Sequence, residues 1–99
     1  EIEGNVDYSV IFSDVTIEDG ADVRYSVIMP GATIKKGAKV YYSIVAENAV
    51  IEEDAKIGEI PEHLENPESW GIAVIGSDAV ITSGKEVQPG VMIKSGEEV

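Results

Sequence analysis

The sequence predicts an all-β fold, a three-sided parallel β-helix in which each coil takes about 17 residues. Three consecutive stretches begin at Tyr8, Tyr25 and Tyr42; each is 17 residues long, and the first two agree at 9 of 17 positions. Within each stretch, Val or Ile recurs at intervals of 6, 5 and 6 residues. A coil of three short strands explains this rhythm, because each side then turns one β-branched side chain inward.

Fifteen recurring Val and Ile residues mark the predicted strands in chain order. They are Val6, Ile11, Ile17, Val23, Ile28, Ile34, Val40, Val45, Ile51, Ile57, Ile75, Ile81, Val87, Ile93 and Val99. Coils stacked about 4.8 Å apart would pair each strand with its counterpart one coil later and bury these side chains in three ladders. An amphipathic helix would need apolar residues at i, i+3, i+4 and i+7, which this rhythm does not supply.

The residues around each ladder position fit a tight coil. Two positions earlier the side chain is mostly small, although Val15 and Val91 are larger and Lys85 is a clear exception. Three positions later Gly, Asn or Asp recurs, as at Asp14 and Gly20. Because these residues tolerate left-handed backbone angles, each strand is expected to end in a short turn.

One corner of each coil is predicted to be tighter than the other two. The 5-residue step always follows the same ladder, and a tyrosine occupies each corner that it forms, at Tyr8, Tyr25 and Tyr42. Their spacing of 17 residues would stack them one per coil.

The rhythm breaks once, after Ile57. The next ladder residue should fall at position 62 but arrives at Ile75, so about 13 residues are inserted. The expected organisation is one β-helix domain over residues 1–99, with coils over 6–57 and 75–99 and a loop over 58–74. The loop contains the only His and the only Trp, His63 and Trp70, for which a contact role competes with a purely structural one.

The composition excludes several classes of partner. The net charge of −12 repels phosphate backbones and anionic lipids, so nucleic acid and membranes are unlikely partners on charge grounds. The chain has no cysteine, hence no disulfide framework, and we find no signal-peptide pattern and no long apolar run. We therefore expect a cytoplasmic protein.

One side of the coil is expected to carry apolar side chains on its outer surface. The outward positions beside the ladder of Ile11, Ile28 and Val45 are large and apolar, and we predict that they form an interface: Val10, Phe12, Val27, Met29 and Ile44. Such a stripe usually marks a partner surface. The alternative is that the loop over 58–74 folds back and covers it.

The sequence offers no catalytic, cofactor-binding or metal-binding constellation. Acyltransferases built on β-helices use a histidine as general base, and a zinc enzyme of the carbonic anhydrase type needs three imidazoles. This chain supplies His63 alone. The recurring Gly spacings are explained by the coil turns, and we find no Gly-rich phosphate loop.

Longer phrases resemble one family of β-helices. The stretches "GADVRYSVIMPGATIKKGAKV", "AENAVIEEDAKIG" and "GIAVIGSDAVITSGKEV" are similar to the C-terminal left-handed β-helix domain of bacterial glucose-1-phosphate adenylyltransferase, also called ADP-glucose pyrophosphorylase. The phrase "SVIMPGA" at residues 26–32 is the most distinctive part. The left-handed, hexapeptide-repeat form of the coil is implied by this resemblance, as an exception to the right-handed crossover rule.

The resemblance also implies a larger protein. An N-terminal nucleotidyltransferase domain, absent from these residues, would bind ATP, Mg²⁺ and glucose 1-phosphate and make ADP-glucose and pyrophosphate for glycogen synthesis. The β-helix would dock onto that domain, contribute to a homo- or hetero-oligomer, a tetramer in the family, and help to form a site for a small anionic effector. No cofactor is expected on the β-helix itself.

The effector site cannot be assigned from the resemblance. Plant-type relatives have a lysine for anionic activators about where this chain has Gly76, so another cation would be needed. The candidates are Arg24, Lys35, Lys36, Lys39 and Lys56.

Two functional classes therefore stay open. The first is a regulatory and assembly domain of a sugar-nucleotide pyrophosphorylase, either of a catalytic or of a non-catalytic partner subunit. The second is a stand-alone hexapeptide-repeat acyltransferase or scaffold. In the first case these 99 residues alone are expected to be inactive.

Overall fold

The computed structural model describes residues 1–61 and 71–99, and the described chain is built from short β-strands. Each strand contains one β-branched ladder residue, and a turn-forming residue follows most of these within three positions, which explains why the strands are short. The strands are β1 (Asn5–Asp7), β2 (Val10–Ile11), β3 (Thr16–Ile17), β4 (Asp22–Arg24), β5 (Val27–Ile28), β6 (Thr33–Ile34), β7 (Lys39–Tyr41), β8 (Ser43–Val45), β9 (Val50–Ile51), β10 (Lys56–Ile57), β11 (Ala73–Ile75), β12 (Val80–Ile81), β13 (Glu86–Val87) and β14 (Met92–Ile93).

These strands form three parallel sheets, one on each side of the coil. The first sheet has the order β1-β4-β7-β10-β13, the second β14-β11-β8-β5-β2 and the third β12-β9-β6-β3. Each strand pairs with the strand one coil later, so that Val6, Val23 and Val40 are consecutive neighbours in register. The predicted all-β, left-handed parallel β-helix with coils of about 17 residues is confirmed.

The core consists of the three predicted ladders. Twelve of the fifteen ladder residues are buried, and the small residues two positions earlier, such as Ala32 and Ala49, are buried beside them. Small side chains are needed there because the interior of so narrow a coil has little room beyond one Val or Ile per side.

The prediction of burial is wrong for the ladder residues of the end coils. Val6 and Ile11 are only partly buried, and Val99 is 37% exposed. The reason is that a terminal coil has a neighbour on one side only, so its ladder residues are covered from one direction.

The tight corner is formed by tyrosines in an unusual backbone conformation. Tyr8, Tyr25 and Tyr42 have φ values of 50°, 52° and 47°, in the left-handed region that bulky residues seldom adopt. Their rings stack as predicted, with centroids 5.1 Å apart for the first pair and 4.8 Å for the second. Offset stacking of this kind adds stabilisation beyond area burial, which offsets part of the backbone strain.

A serine ladder holds the same corner from the inside. The hydroxyls of Ser9, Ser26 and Ser43 each donate to the carbonyl two residues earlier, at 2.9, 2.9 and 2.7 Å. Ser9 and Ser26 also accept the amide of the serine one coil later, at 3.1 and 3.2 Å. Alanine, which occupies most other small positions, could not make these bonds.

The last coil turns this corner differently. The step from Val87 to Ile93 is 6 residues, and the turn is closed by the Val91 amide, which donates to the Gln88 carbonyl at 3.2 Å. Gly90 takes the left-handed conformation there, with φ 81°. The tyrosine corner is therefore a feature of the first three coils.

The longest gap between consecutive described strands lies between Ile57, the end of β10, and Ala73, the start of β11. Ile75 pairs with Val45, the position that residue 62 would have taken in an uninterrupted coil. Gly58 starts the departure with φ 71°, and a side chain there would collide with the Tyr41 carbonyl. The chain thus leaves the coil after Ile57 and resumes the same register at β11.

Candidate interaction surface

The outward row of the second sheet is apolar along its whole length. Because side chains alternate across a strand, the residue before each ladder position points away from the core. The register places five such residues in one row, one per coil: Val10, Val27, Ile44, Val74 and Met92. Together with Phe12 and Met29, we call these residues the apolar face.

The second row of the apolar face narrows along the solenoid. The residues that follow the ladder position decrease in apolar bulk from the first coil to the fourth and end in a charged residue: Phe12, Met29, Ala46, Gly76 and Lys94. The apolar face is therefore widest at the first two coils, where four of the five residues predicted from the sequence lie.

Several side chains of the apolar face are open to solvent. Val10 is 51% exposed, Phe12 is 46% exposed and Met92 is 70% exposed, while Val27 and Ile44 are half-buried between their neighbours. Large apolar side chains are therefore uncovered by the described chain at both ends of the apolar face, at Val10 and Phe12 and at Met92. The alternative in which the inserted loop covers this side depends in part on residues 62–70, which lie outside the described residues.

The outer surface of the first sheet is polar and internally bonded. Asp22 accepts hydrogen bonds from Asn5 Nδ2 at 2.9 Å, from Arg24 Nε at 3.1 Å and from the Tyr41 hydroxyl at 3.0 Å. Burial alone would raise the pKa of this carboxylate, but the three donors outweigh burial and hold the pKa of Asp22 below its ordinary value. Burial, followed by the bond to Asp22, raises the pKa of the Tyr41 hydroxyl.

The sequence analysis did not predict this network. The available signal was the spacing of 17 between Asn5 and Asp22, which puts the two side chains in adjacent coils. The network satisfies polar side chains of β1, β4 and β7 within the chain itself.

The five candidate effector cations are not brought to a single point. Arg24 is engaged by Asp22, at 3.1 Å, and Lys56 Nζ lies 3.4 Å from Glu59. Lys39 and Lys56 are neighbours in register on the first sheet, and the remaining two lysines lie in the turn between β6 and β7. This arrangement assigns no anion site.

The described residues contain neither a metal-binding group nor a membrane-spanning helix, and they do not include His63 or Trp70. His63 and Trp70 lie outside the described residues, so their roles stay predictions. Over residues 1–61 and 71–99, no three His, Cys, Asp or Glu side chains are grouped in a way that could hold a metal ion. The same part of the chain contains no helix long and apolar enough to cross a membrane.

Three parallel sheets wound from short strands, with small residues inside and turn-forming residues at the corners, define a hexapeptide-repeat protein. The chain belongs to the family of GlmU-like C-terminal hexapeptide domains, whose model matches residues 2–67, about two thirds of the sequence. Domains of this type are associated with nucleotidyltransferases. A search of curated proteins finds none that matches the chain.

Proposed function

We propose that this domain is the regulatory and assembly domain of a glucose-1-phosphate adenylyltransferase in the cytoplasm. The parent enzyme would join ATP and glucose 1-phosphate to give ADP-glucose and pyrophosphate for glycogen synthesis. ATP and Mg²⁺ would bind to a separate nucleotidyltransferase domain, and the β-helix would position that domain within an oligomer.

Two lines of support lead to this enzyme class. The family of the chain is associated with nucleotidyltransferases, which favours a parent that transfers a nucleotidyl group. The phrase "SVIMPGA" resembles part of the β-helix of the adenylyltransferase that makes ADP-glucose. Among sugar nucleotides, this resemblance favours ADP-glucose as the product. The resemblance is therefore the basis for the proposed substrate, and the family is the basis for the proposed reaction.

The observation that supports an assembly role is the apolar face. Large apolar side chains fill the outward row of the second sheet in every coil, although their inward neighbours already fill the core. The outward row of the third sheet is mixed, with Thr16 and Thr33 followed by Val50 and Val80. Burying such a side chain fully contributes about 1.5 to 3 kcal/mol, so covering several half-exposed groups would stabilise a complex substantially. We propose that the catalytic domain or a neighbouring subunit covers this face.

A small anionic effector remains part of the proposal without an assigned site. Lys39 and Lys56 are adjacent in register, but Lys56 Nζ already lies 3.4 Å from Glu59, so none of the five candidate cations is preferred. The acidic surroundings of the chain would limit the affinity of an anion that meets only one lysine.

The assembly role is tested with the double variant Val27→Lys, Ile44→Lys in the full-length protein. Both side chains point outward in register, so the ladders should remain intact while two charges enter the apolar face. We expect the variant to dissociate into smaller species, measured by light scattering, and to lose activation by effectors.

The matched control is Thr33→Lys, Val50→Lys. These residues occupy the outward row of the third sheet in the same two coils and are also neighbours in register. The control should keep the wild-type mass. Equal behaviour of the two variants, or a wild-type oligomer in the first, would contradict docking through the apolar face.

A stand-alone acyltransferase is the less favoured alternative. It would need a general base, and the single histidine of the chain, His63, lies outside the described residues. No described residue favours acyl transfer. The sequence that precedes Glu1 in the gene separates the two classes, because only the adenylyltransferase requires a nucleotidyltransferase domain there.

A further inference from the structure

The apolar face is open to solvent in coils that have a neighbour on both sides. Val27, Ile44 and Val74 lie on strands that pair with another strand at each edge, and all three are only half-buried. At the corner beside them, Tyr25 is 45% exposed and Ile72 is 39% exposed. The exposure of this surface therefore does not depend on where the coils begin or end.

One border of the apolar face carries carboxylates. It is formed by the turns that follow the second sheet, which stack one per coil, since the Asp78 amide donates to the Glu47 carbonyl at 2.9 Å. Asp14, Glu47 and Asp78 are exposed in these turns, and we call the three residues the acidic border. The turns of the first four coils on this border, residues 13–14, 30–31, 47–48 and 77–78, contain no Lys or Arg.

The acidic border is not neutralised by the described chain. Within residues 1–61 and 71–99, the side chains of Asp14, Glu47 and Asp78 make no hydrogen bond or ion pair. Asp22, on the first sheet, differs because it accepts hydrogen bonds from three side chains. Carboxylates without an intramolecular partner, next to an apolar surface, are open to cations of whatever covers that surface.

The apolar face leaves space beside these carboxylates. Ala46 directly precedes Glu47, and Gly76 lies two residues before Asp78, where the first two coils have Phe12 and Met29. Gly76 is restricted to glycine, because a side chain there would collide with the backbone of the next coil at Lys94 and Ser95. A partner backbone can therefore approach closely in the third and fourth coils and bring its side chains within reach of the acidic border.

A second copy of this domain does not supply the complementary charges. Among the outward residues of the second sheet and the turns that follow it, Lys94 is the one basic residue. Arg24, across the tyrosine corner, is engaged by Asp22 at 3.1 Å. Two copies would also bring together two net charges of −12, which repel each other.

We propose that the partner of the apolar face is a different polypeptide surface, with an apolar centre and with Lys or Arg side chains along the edge that lies over Glu47 and Asp78. This inference rests on the assembly role proposed above and adds the chemistry of the partner. The apolar contacts supply most of the affinity. The charges fix the orientation of the partner, because the opposite border is formed by Tyr25 and Ile72 and offers no equivalent carboxylates.

The test is Glu47→Lys in the full-length protein, which reverses one charge of the acidic border and leaves every residue of the apolar face in place. The dissociation constant of the assembly is measured by analytical ultracentrifugation at low and at high salt. At low salt the variant should dissociate about fivefold more readily than the wild type, and the difference should shrink as salt is added, because salt screens charge pairs.

The matched control is Glu53→Lys, which makes the same charge change in the same coil. Glu53 is exposed at the equivalent position of the turn after the third sheet, and its carbonyl accepts the amide of the next coil at 3.0 Å, as the Glu47 carbonyl does at 2.9 Å. The control should change the dissociation constant less than about twofold. Equal effects of the two variants, or tighter assembly of Glu47→Lys, would overturn the basic partner.

The double variant Val27→Lys, Ile44→Lys separates this inference from the proposed function. If it dissociates while Glu47→Lys assembles like the wild type, the apolar face is an interface but its partner is not basic. If it assembles like the wild type, the apolar face is not an interface and both proposals fail. An isolated domain that dimerises, and that the double variant makes monomeric, would assign the apolar face to a second copy.

Discussion

Tyr25 lies between two other rings on a backbone that few tyrosines adopt. Its φ of 52° costs about 1 kcal/mol or more relative to an extended conformation, and the rings on both sides offset this cost. The hydroxyl of Ser26 fixes the same corner through the Arg24 carbonyl and the Ser43 amide. The corner is thus stabilised by contacts between coils, since the strained residues depend on their neighbours one coil away.

Replacing Tyr25 with Ala should therefore destabilise the domain by about 1 to 3 kcal/mol, because two stacking contacts are lost while the left-handed backbone remains. Urea unfolding measures the change in the free energy of unfolding. The control is Tyr8→Ala, which removes one stacking contact from a ring that is 81% exposed and should cost less than half as much. Equal losses in the two variants would show that stacking does not hold the corner.

Some contacts of individual side chains could be predicted from the sequence, and others could not. The stacking of tyrosines followed from their 17-residue spacing, because a regular coil repeats every side chain at the same place. The serine ladder and the bonds to Asp22 were not predicted. Ser fits a small inward position as well as Ala does, and the sequence pattern records size but not which carbonyl or carboxylate lies within reach.

The strands owe their stability to stacking, because each has only two or three residues and could not persist alone. Ile34 is fully buried between Ile17 and Ile51, which pair with it in register on either side. The ladder positions were predictable because a narrow coil accepts a β-branched residue at one place per side. The exposure of Val99 was not predicted, because the pattern marks the ladder positions and not how well neighbouring coils cover each one.

Ile34→Asp should abolish folding, because it places a carboxylate in the middle of a ladder without a partner. The expected result is loss of the cooperative thermal transition and of the β-sheet signal in far-UV circular dichroism. Val99→Asp, at a ladder position that is 37% exposed, should keep both. A folded Ile34→Asp domain with the wild-type melting temperature would contradict the assignment of the ladders.

The whole molecule presents three unlike sides. The apolar face was predictable from the residues that flank one ladder, including Val74 after the insertion, and the structure adds its continuation to Met92. The hydrogen bonds among the polar side chains of the first sheet were not predictable, because they depend on which side chains lie within reach of one another. A rigid β-helix with one apolar side suits a module that positions another domain, which is the role we propose.

The most direct measurement of this role compares pyrophosphate release from ATP and glucose 1-phosphate by the full-length gene product and by the isolated 99-residue domain. The full-length protein should release pyrophosphate and form ADP-glucose in the presence of Mg²⁺, because its catalytic domain would supply the nucleotide and sugar phosphate sites. The isolated domain should release none above background. Turnover by the isolated domain, or a full-length protein that transfers no nucleotidyl group to glucose 1-phosphate, would contradict the account.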